Sequence, residues 1–296
     1  MSRRHLALLV LGVLAVSSSS VLVRVADAPA FAIAFYRSGM AAAVLVPLAL
    51  WRHRPEVRAL ARNGRWRLAL LSGVFLALHF ATWIPSVSLT TIAASAVLVT
   101  SSPLWVAVLG RFIGERPTRR TIVGIGVALV GTLVISGGDL GGGGRALLGD
   151  LLALSGAVFA AAYVLTGRHL RQEISVVPYT AVVYTTTAAI LAVAMLAAGT
   201  RFSGYPASTW FVFVAITIGP QFLGHTTFNY LLAHVQAQVV AVAVMAEPVG
   251  ATLLALAVLG EAPGSAALVG GALILAGVYL AIAAQARSDA AVAALE

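Results

Sequence analysis

Four ionisable side chains stand within long apolar segments of this sequence: Arg37, His79, His225 and Glu247. Burying such a group costs free energy unless it is paired, hydrogen-bonded or hydrated. Together they offer a cation, two imidazole rings and a carboxylate, which can bind polar ligands or carry protons. Neither a Ser/His/Asp spacing nor an HExxH sequence accompanies them. We therefore expect binding chemistry, with no catalytic residue and no cofactor.

Two of these groups belong to polar stripes, in which side chains three or four residues apart share one helical face. The stripes are His79, Trp83 and Ser86, and Gln221, His225 and Asn229. Two interpretations are open, since the stripes either line a cavity or join neighbouring helices by hydrogen bonds. A two-histidine metal site is disfavoured, because no Cys or acidic pair completes it.

The composition of the chain places these groups in a membrane. Of the 296 residues, 60% are hydrophobic and 10% are charged, and the mean hydropathy is +0.97, whereas a soluble domain carries about 25% charged residues. The absence of Cys excludes disulfides and thiolate metal sites. The net charge of +9 is explained by basic cytoplasmic loops and does not indicate nucleic acid.

Ten segments have about the 20 mostly apolar residues that a membrane-spanning helix needs. They are His5–Val25, Ala30–Leu50, Leu68–Val87, Ile92–Phe112, Thr121–Ser136, Leu147–Thr166, Val177–Ala198, Trp210–Leu232, Ala237–Leu259 and Gly264–Ala284. Their apolar runs are continuous, which favours helices over the alternating strands of a membrane barrel. We expect an all-α polytopic membrane protein whose first span is retained and not cleaved.

The distribution of arginine predicts the orientation of these spans. With the N-terminus inside, fifteen arginines fall in cytoplasmic segments, three fall in external loops, and Arg37 lies within a span. Because basic residues concentrate in cytoplasmic loops, both termini are predicted to be cytoplasmic, and the protein to reside in the cytoplasmic (inner) membrane.

The sequence contains an internal repeat with an offset of 146 residues, which relates His79 to His225 and Glu115 to Glu261. Each repeat holds five spans, an odd number, so the second repeat must enter the membrane from the opposite side. Such inverted repeats are typical of secondary transporters with a central substrate site. The predicted organisation is a first repeat (1–137), an external glycine-rich linker (138–146), a second repeat (147–287) and a cytoplasmic tail (288–296).

Both repeats end in related segments, "SPLWVAVLGRFIGERPTRRTIVGIGVALVGTLVI" and "EPVGATLLALAVLGEAPGSAALVGGALILAGVYL", and the second span contains "AFYRSGMAA". In these features the chain resembles the EamA-type family of the drug/metabolite transporter superfamily over essentially its whole length. The resemblance implies a ten-helix carrier, often an exporter of amino acids or related metabolites. It also implies a central cavity surrounded by the first four helices of each half.

Glu247 stands near the middle of the ninth predicted span and is followed by Pro248, which breaks the helix and frees backbone carbonyls. Three interpretations are open: Glu247 couples transport to protons or binds a substrate amine, it forms a fixed ion pair with Arg37, or it does neither. The corresponding residue of the first repeat is Ser101, so the charge is not duplicated.

Aromatic residues in the spans add further candidate substrate contacts, namely Tyr36, Tyr163 and Tyr184. With Trp83 they would suit an apolar or aromatic part of a substrate. For the serines and threonines of the spans, hydrogen bonds to their own helix are the alternative.

We therefore expect a secondary active transporter that exports small metabolites, namely amino acids or related compounds, by alternating access. Its partners would be a small-molecule substrate and the lipid bilayer, and the sequence leaves proton coupling and homo-oligomerisation open. A membrane-embedded lipid-modifying enzyme would need a nucleophile–base pair or a metal cluster that the sequence lacks. A sensor or partner subunit that transports nothing is the remaining alternative.

Overall fold

The computed structural model describes residues 1–90, 95, 98–114, 117–135, 143–259 and 264–293, and every regular element in these ranges is helical. In chain order the α-helices are α1 (Arg3–Ser17), α2 (Ser19–Val25), α3 (Ala30–Arg52), α4 (Arg54–Arg62), α5 (Trp66–Leu89), α6 (Ser102–Leu109), α7 (Arg119–Ile135), α8 (Gly143–Arg171), α9 (Val176–Ala197), α10 (Ala207–Ile216), α11 (Thr227–Leu231), α12 (Ala237–Val244), α13 (Glu247–Leu259) and α14 (Ser265–Ala293). A 3₁₀ turn, Gly110–Ile113, follows α6, and a π-helix, Thr217–Thr226, joins α10 to α11.

Seven helical stretches within the described residues are long and apolar enough to cross a membrane. They are Arg3–Val23, Ala30–Arg52, Trp66–Leu89, Gly144–Arg171, Val176–Ala197, Ala207–Leu231 and Ala237–Leu254. A shorter apolar helix covers Leu268–Ala284, and α7 has 17 residues. The all-helical prediction is confirmed for these residues, while the count of ten spans stays a prediction.

Several predicted features fall outside the described residues. These are the first part of the fourth span (92–94, 96 and 97), most of the linker (138–142), and both Glu115 and Glu261. At the edges of these gaps the predicted boundaries shift, because α8 already begins at Gly143 and α14 continues through Ala293 into the predicted tail. The segment between the second and third predicted spans contains a further helix, α4, which the list of predicted spans did not include.

The predicted helix break beside Pro248 is present. The helix α12 ends at Val244, Met245 and Ala246 form a turn, and α13 begins at Glu247. Pro248 occupies the first turn of α13, where its missing N–H needs no intrahelical partner. The break thus places the carboxylate of Glu247 at a helix N-terminus, where the helix dipole favours negative charge.

The core forms around helices that come from both halves of the chain. The helix α5 packs against α8, α3 packs against α9, α1 packs against the π-helix, and α7 packs against α14. One buried cluster joins Leu76 and Phe80 of α5 to Tyr184 of α9. A second joins Val16 of α1 to Phe228 of α11. The burial of these large side chains fixes the walls of the space between the two clusters.

The helices α7 and α14 cross at two glycine contacts. A methyl group at Gly124 would lie 2.6 Å from the carbonyl oxygen of Gly277, and one at Gly131 would lie 2.5 Å from that of Gly270. Such distances are too short for any side chain, so the crossing requires glycine at these positions. The 146-residue offset relates Gly124 to Gly270 and Gly131 to Gly277. When each glycine is replaced by its repeat counterpart, the Gly124–Gly277 contact becomes the Gly131–Gly270 contact.

We expect Gly124→Ala to destabilise the protein by about 1–3 kcal/mol, because the added methyl group forces two backbones apart. Gly126→Ala is the matched control in the same helix, since no described residue outside its own helix backbone comes within 4 Å of the position of its methyl group. The measurement is thermal unfolding of both variants in detergent. Equal melting temperatures for the two variants would contradict the tight crossing.

Candidate functional site

A cavity of about 100 Å³ lies between the helices of the two halves. Since one water molecule needs only about 15 Å³ of such volume, the cavity has room for several waters or a small metabolite. Its wall is built by residues of α1, α2, α3, α5, α6, α8, α11, α12 and α13, together with Val99, Thr100, His225 of the π-helix and Leu232. Most of this wall is apolar, and the polar groups described below stand out from it.

Seven of the residues proposed from the sequence line this cavity. They are Arg37, His79, Trp83, Tyr163, His225, Asn229 and Glu247. The structure thus brings together the charged and polar groups of five helices and the π-helix, although they are far apart in sequence. Their role in substrate binding stays a prediction.

Arg37 is buried, with 1% of its surface exposed. Its Nε donates to Gln221 Oε1 at 2.9 Å, and its Nη1 donates to Ser19 Oγ at 3.5 Å. The guanidinium carbon lies 4.4 Å from the centre of the Phe80 ring, a cation–π contact. No acceptor among the described residues bonds to Nη2. The cation is therefore firmly oriented, with one donor nitrogen left over beside the cavity.

Two residues of the predicted set, Gln221 and Tyr184, are buried behind this wall. Gln221 orients the guanidinium of Arg37. The Tyr184 hydroxyl lies 2.9 Å from Thr226 Oγ1 and accepts from Asn229 Nδ2 at 3.5 Å. Both side chains thus position cavity residues.

Asn229 lines the cavity and is hydrogen-bonded to both Tyr163 and Tyr184. Its Nδ2 donates to the Tyr163 hydroxyl at 2.6 Å. Its buried Oδ1 has no donor within the part of the chain that the structure describes. An unused acceptor thus stands in the same wall as the unused donor of Arg37.

His79 combines the two roles that the sequence leaves open. Its Nδ1 lies 2.9 Å from the carbonyl oxygen of Gly156 in α8, and because a carbonyl only accepts, the proton is on Nδ1. The ring also stacks on Trp83, with centres 5.7 Å apart and planes 7° apart. The histidine therefore joins two helices and lines the cavity at once. His225 instead meets the ring of Phe80 edge-on, at 5.6 Å.

Glu247 and Arg37 both line the cavity, but they do not form an ion pair. The ion pairs found among the described residues are His53–Glu56 and Arg65–Glu173, each within the 4 Å limit for such a pair. This conformation therefore lacks the direct Arg37–Glu247 pair that is one of the three alternatives for Glu247, and the role of Glu247 stays a prediction. The cavity presents a cation and a carboxylate that make no direct contact with each other.

Two other predicted residues, Tyr36 and Ser86, lie away from the cavity. The Tyr36 hydroxyl donates to the carbonyl oxygen of Phe202, and the ring stacks on Phe213 with centres 4.6 Å apart. Ser86 is buried, donating to the carbonyl oxygen of Trp83 at 2.6 Å, with Ser95 Oγ 2.7 Å away. Their side chains serve packing and helix contacts.

The cavity also contains residues that the polar stripes did not indicate, namely Ser19, Thr100, Ser102 and Phe228. Ser19 belongs to the serine run at the junction of α1 and α2. Thr100 and Ser102 flank Ser101, the repeat counterpart of Glu247. That correspondence is the signal in the sequence that could have found them.

If His79 faces an aqueous cavity, a cysteine in its place should react with small thiol reagents, and bound substrate should slow the reaction. The chain has no native Cys, so a single introduced thiol reports unambiguously. Ser86→Cys is the control and should stay unreactive, because Ser86 is fully buried away from the cavity. Equal labelling rates at the two positions would contradict this placement.

The family model of the EamA-like transporter family matches the chain twice, at residues 4–137 and 147–283. Two relatives from Archaeoglobus fulgidus, both named as uncharacterized transporters, are 25% identical. One aligns over 292 residues (96% of this chain, 99% of its own length) and the other over 276 (93% and 95%). A solved crystal structure covers 97% of this chain and 99% of its own, with a TM-score of 0.81 and 22% identity, which shows a shared fold alone.

The family match agrees with the resemblance drawn from the sequence and, with the long apolar helices, shows a multi-pass protein embedded in a membrane. The names of the relatives suggest a membrane transporter. Because the family model covers nearly the whole chain, in two successive copies, this chain belongs to the EamA-like transporter family.

Proposed function

We propose that this chain is a secondary active transporter that moves small zwitterionic metabolites, amino acids or related compounds, out of the cell by alternating access. The observation that carries the proposal is the unpaired charge of the cavity. Among the described residues, no acceptor bonds to Nη2 of Arg37, and Glu247 faces the same cavity without forming an ion pair.

A zwitterion is the ligand that would neutralise both groups. Its carboxylate would accept from Nη2 of Arg37, a charge-assisted hydrogen bond, and its ammonium group would donate to Glu247. A ligand with only one charge would leave the other protein charge desolvated and unpaired, which is costly inside a membrane. The unused Oδ1 of Asn229 offers the ammonium group a further acceptor.

The remainder of the cavity suits an uncharged substrate side chain. Trp83, Phe228 and Val240 contribute aromatic and aliphatic surface, and no carboxylate other than that of Glu247 lines the wall formed by the described residues. A few well-placed polar groups in an otherwise apolar pocket are typical of small-molecule sites. The site thus favours small neutral amino acids over those with an additional charge.

The proposal includes ten spans arranged as two inverted repeats in the cytoplasmic membrane, with both termini inside. The double match of the family model supports it. So does the packing, because exchange of the two halves converts the Gly124–Gly277 contact into the Gly131–Gly270 contact. Such symmetry supplies two related conformations, open to opposite sides.

The decisive experiment compares three ligands of nearly equal size in proteoliposomes that contain the full chain. These are a labelled neutral amino acid, the amine that lacks its carboxylate, and the keto acid that lacks its amine. We expect counterflow of the amino acid, recovered chemically unchanged, and at least about tenfold lower flux of both analogues, as expected for the loss of one charge-assisted hydrogen bond.

Equal flux of the three ligands would overturn the zwitterion assignment, and absence of flux for all of them would overturn the substrate class. Recovery of a modified product would instead favour the membrane enzyme. Inside-out and right-side-out vesicles, compared under a pH gradient, report the direction of transport and the coupling ion.

A further inference from the structure

The short helix α4 is fixed to the protein at one membrane face, between the end of α3 and the start of α5. Leu60 is buried in the main core cluster, and Val57 packs against it. Glu56 Oε2 accepts from the backbone N–H of Ser175 at 2.9 Å, and Arg65 pairs with Glu173. The helix therefore presents one constant side outward.

That outward side is basic. Five arginines on α4 and the adjoining ends of α3 and α5 are exposed, and we call them the basic surface: Arg52, Arg54, Arg58, Arg62 and Arg67. None of them forms an ion pair with a described residue. Three of the five lie four residues apart along α4, about 6 Å per step.

The one acidic residue of this segment does not neutralise the basic surface. Burial raises the pKa of Glu56, but hydrogen bonds from Ser175 and His53 outweigh that effect, so that the pKa lies below its ordinary value. Its carboxylate is thus ionised at neutral pH and is already engaged by these two residues. The five exposed guanidinium groups are therefore not neutralised by Glu56.

Two exposed tryptophans set the depth of the basic surface in the bilayer. Trp51 at the end of α3 and Trp66 at the start of α5 are 68% and 41% exposed. A guanidinium group lies over each ring: that of Arg52 is 4.7 Å from the centre of Trp51, and that of Arg67 is 5.5 Å from the centre of Trp66. Because tryptophan in membrane proteins concentrates at the headgroup level, we expect these guanidinium groups to lie level with the lipid phosphates.

We propose that the basic surface is a binding site for acidic phospholipids of the surrounding leaflet. Guanidinium groups bind phosphate with two parallel hydrogen bonds, and clustered basic residues beside a span attract anionic lipid. A general excess of positive charge on this side would bind acidic lipid wherever arginine is exposed. If the basic surface is a defined binding site, the response to acidic lipid should instead depend on the arginines of α4 and its flanking residues alone.

The test uses the full chain in nanodiscs, with an environment-sensitive fluorophore on a single cysteine at the exposed position 61 (Ala61→Cys). Replacing phosphatidylcholine by phosphatidylglycerol should change the fluorescence in a saturable manner. Inorganic phosphate added to phosphatidylcholine nanodiscs should change nothing, because the bilayer presents the ligand. We expect Arg54→Gln combined with Arg58→Gln to raise the half-saturating fraction of acidic lipid about tenfold.

The matched control removes two charges elsewhere, by Arg119→Gln combined with Arg120→Gln at the exposed start of α7. This control should titrate like the parent protein. An equal loss in both double variants would show a general charge effect and overturn the proposal, as would a parent protein that does not respond to phosphatidylglycerol. A full response to inorganic phosphate would show a phosphate site that needs no lipid and would also overturn it.

Discussion

Arg37→Gln is expected to lower kcat/KM for amino acids by at least about 30-fold, while the flux of the corresponding amines changes little. Loss of one partner of a buried charge pair costs about 2–5 kcal/mol, which corresponds to this factor or more. The ratio of amino-acid flux to amine flux should therefore fall towards one. This ratio, measured by counterflow in proteoliposomes, separates a lost carboxylate contact from a general loss of activity.

Two controls accompany this variant. Arg37→Lys keeps the positive charge but replaces the planar guanidinium group by a compact ammonium group. We expect its preference for amino acids over amines to lie between those of the parent protein and Arg37→Gln. The melting temperature of each variant shows whether the protein has folded. An Arg37→Gln protein that folds and keeps the full preference for amino acids over amines would exclude Arg37 as the carboxylate partner.

Glu247→Gln is expected to abolish the accumulation of substrate driven by a pH gradient, while counterflow exchange remains measurable with a raised KM. The change keeps the shape of the side chain and removes both its charge and its titration. Because Glu247 forms no ion pair with Arg37 in this conformation, we expect the melting temperature to be nearly unchanged. The measurements are gradient-driven flux, counterflow and thermal unfolding.

The control for this variant is Glu173→Gln, which removes a carboxylate that pairs with Arg65 outside the cavity and should leave gradient-driven flux intact. If Glu247 and Arg37 did form a fixed pair, Glu247→Gln would destabilise the protein, and Arg37→Met in the same chain would restore its stability. A Glu247→Gln protein that melts normally, follows the pH gradient and keeps its KM would rule out coupling and amine binding alike.

Helical periodicity was sufficient to find much of the cavity wall, because α5 is a regular α-helix along most of its length. His79 and Trp83, four residues apart, both reach the cavity as the spacing predicts. Ser86 lies beyond Pro85 in the last turn of α5, where its hydroxyl bonds to the preceding turn and to Ser95. The face that lines the cavity therefore ends at Trp83, one turn earlier than the sequence spacing predicts.

The second stripe fails at Gln221 for a different reason. Gln221 and His225 lie in the π-helix, which has i to i+5 hydrogen bonds and thus more residues per turn than an α-helix. Residues four apart still lie close to one face in such a helix, so this spacing does not by itself separate the two side chains. Gln221 lies behind the wall, where it accepts from Nε of Arg37, while His225 lines the cavity. A π-helix cannot be predicted from local composition. Gly219 and Pro220 do indicate where the regular α-helical hydrogen bonds are weakest.

Tyr36 was placed in the site because it precedes Arg37 in the sequence. Adjacent residues of an α-helix point about 100° apart, and here Arg37 faces the cavity while the Tyr36 ring packs against Phe213. The absence of an Arg37–Glu247 pair, by contrast, was beyond the sequence. It depends on how α3 and α13 are placed by their neighbours, and on Gln221 and Ser19 holding the guanidinium.

The glycine crossing of α7 and α14 has a mechanical consequence. Where two backbones touch without intervening side chains, they cannot slide past one another without lifting a carbonyl over its neighbour. This crossing therefore allows the two helices to tilt but resists sliding of one along the other. Near the end of each half of the chain lies one of the two crossing helices, α7 or α14. A protein cut within residues 138–142 would therefore leave two fragments that still carry complementary surfaces for reassembly.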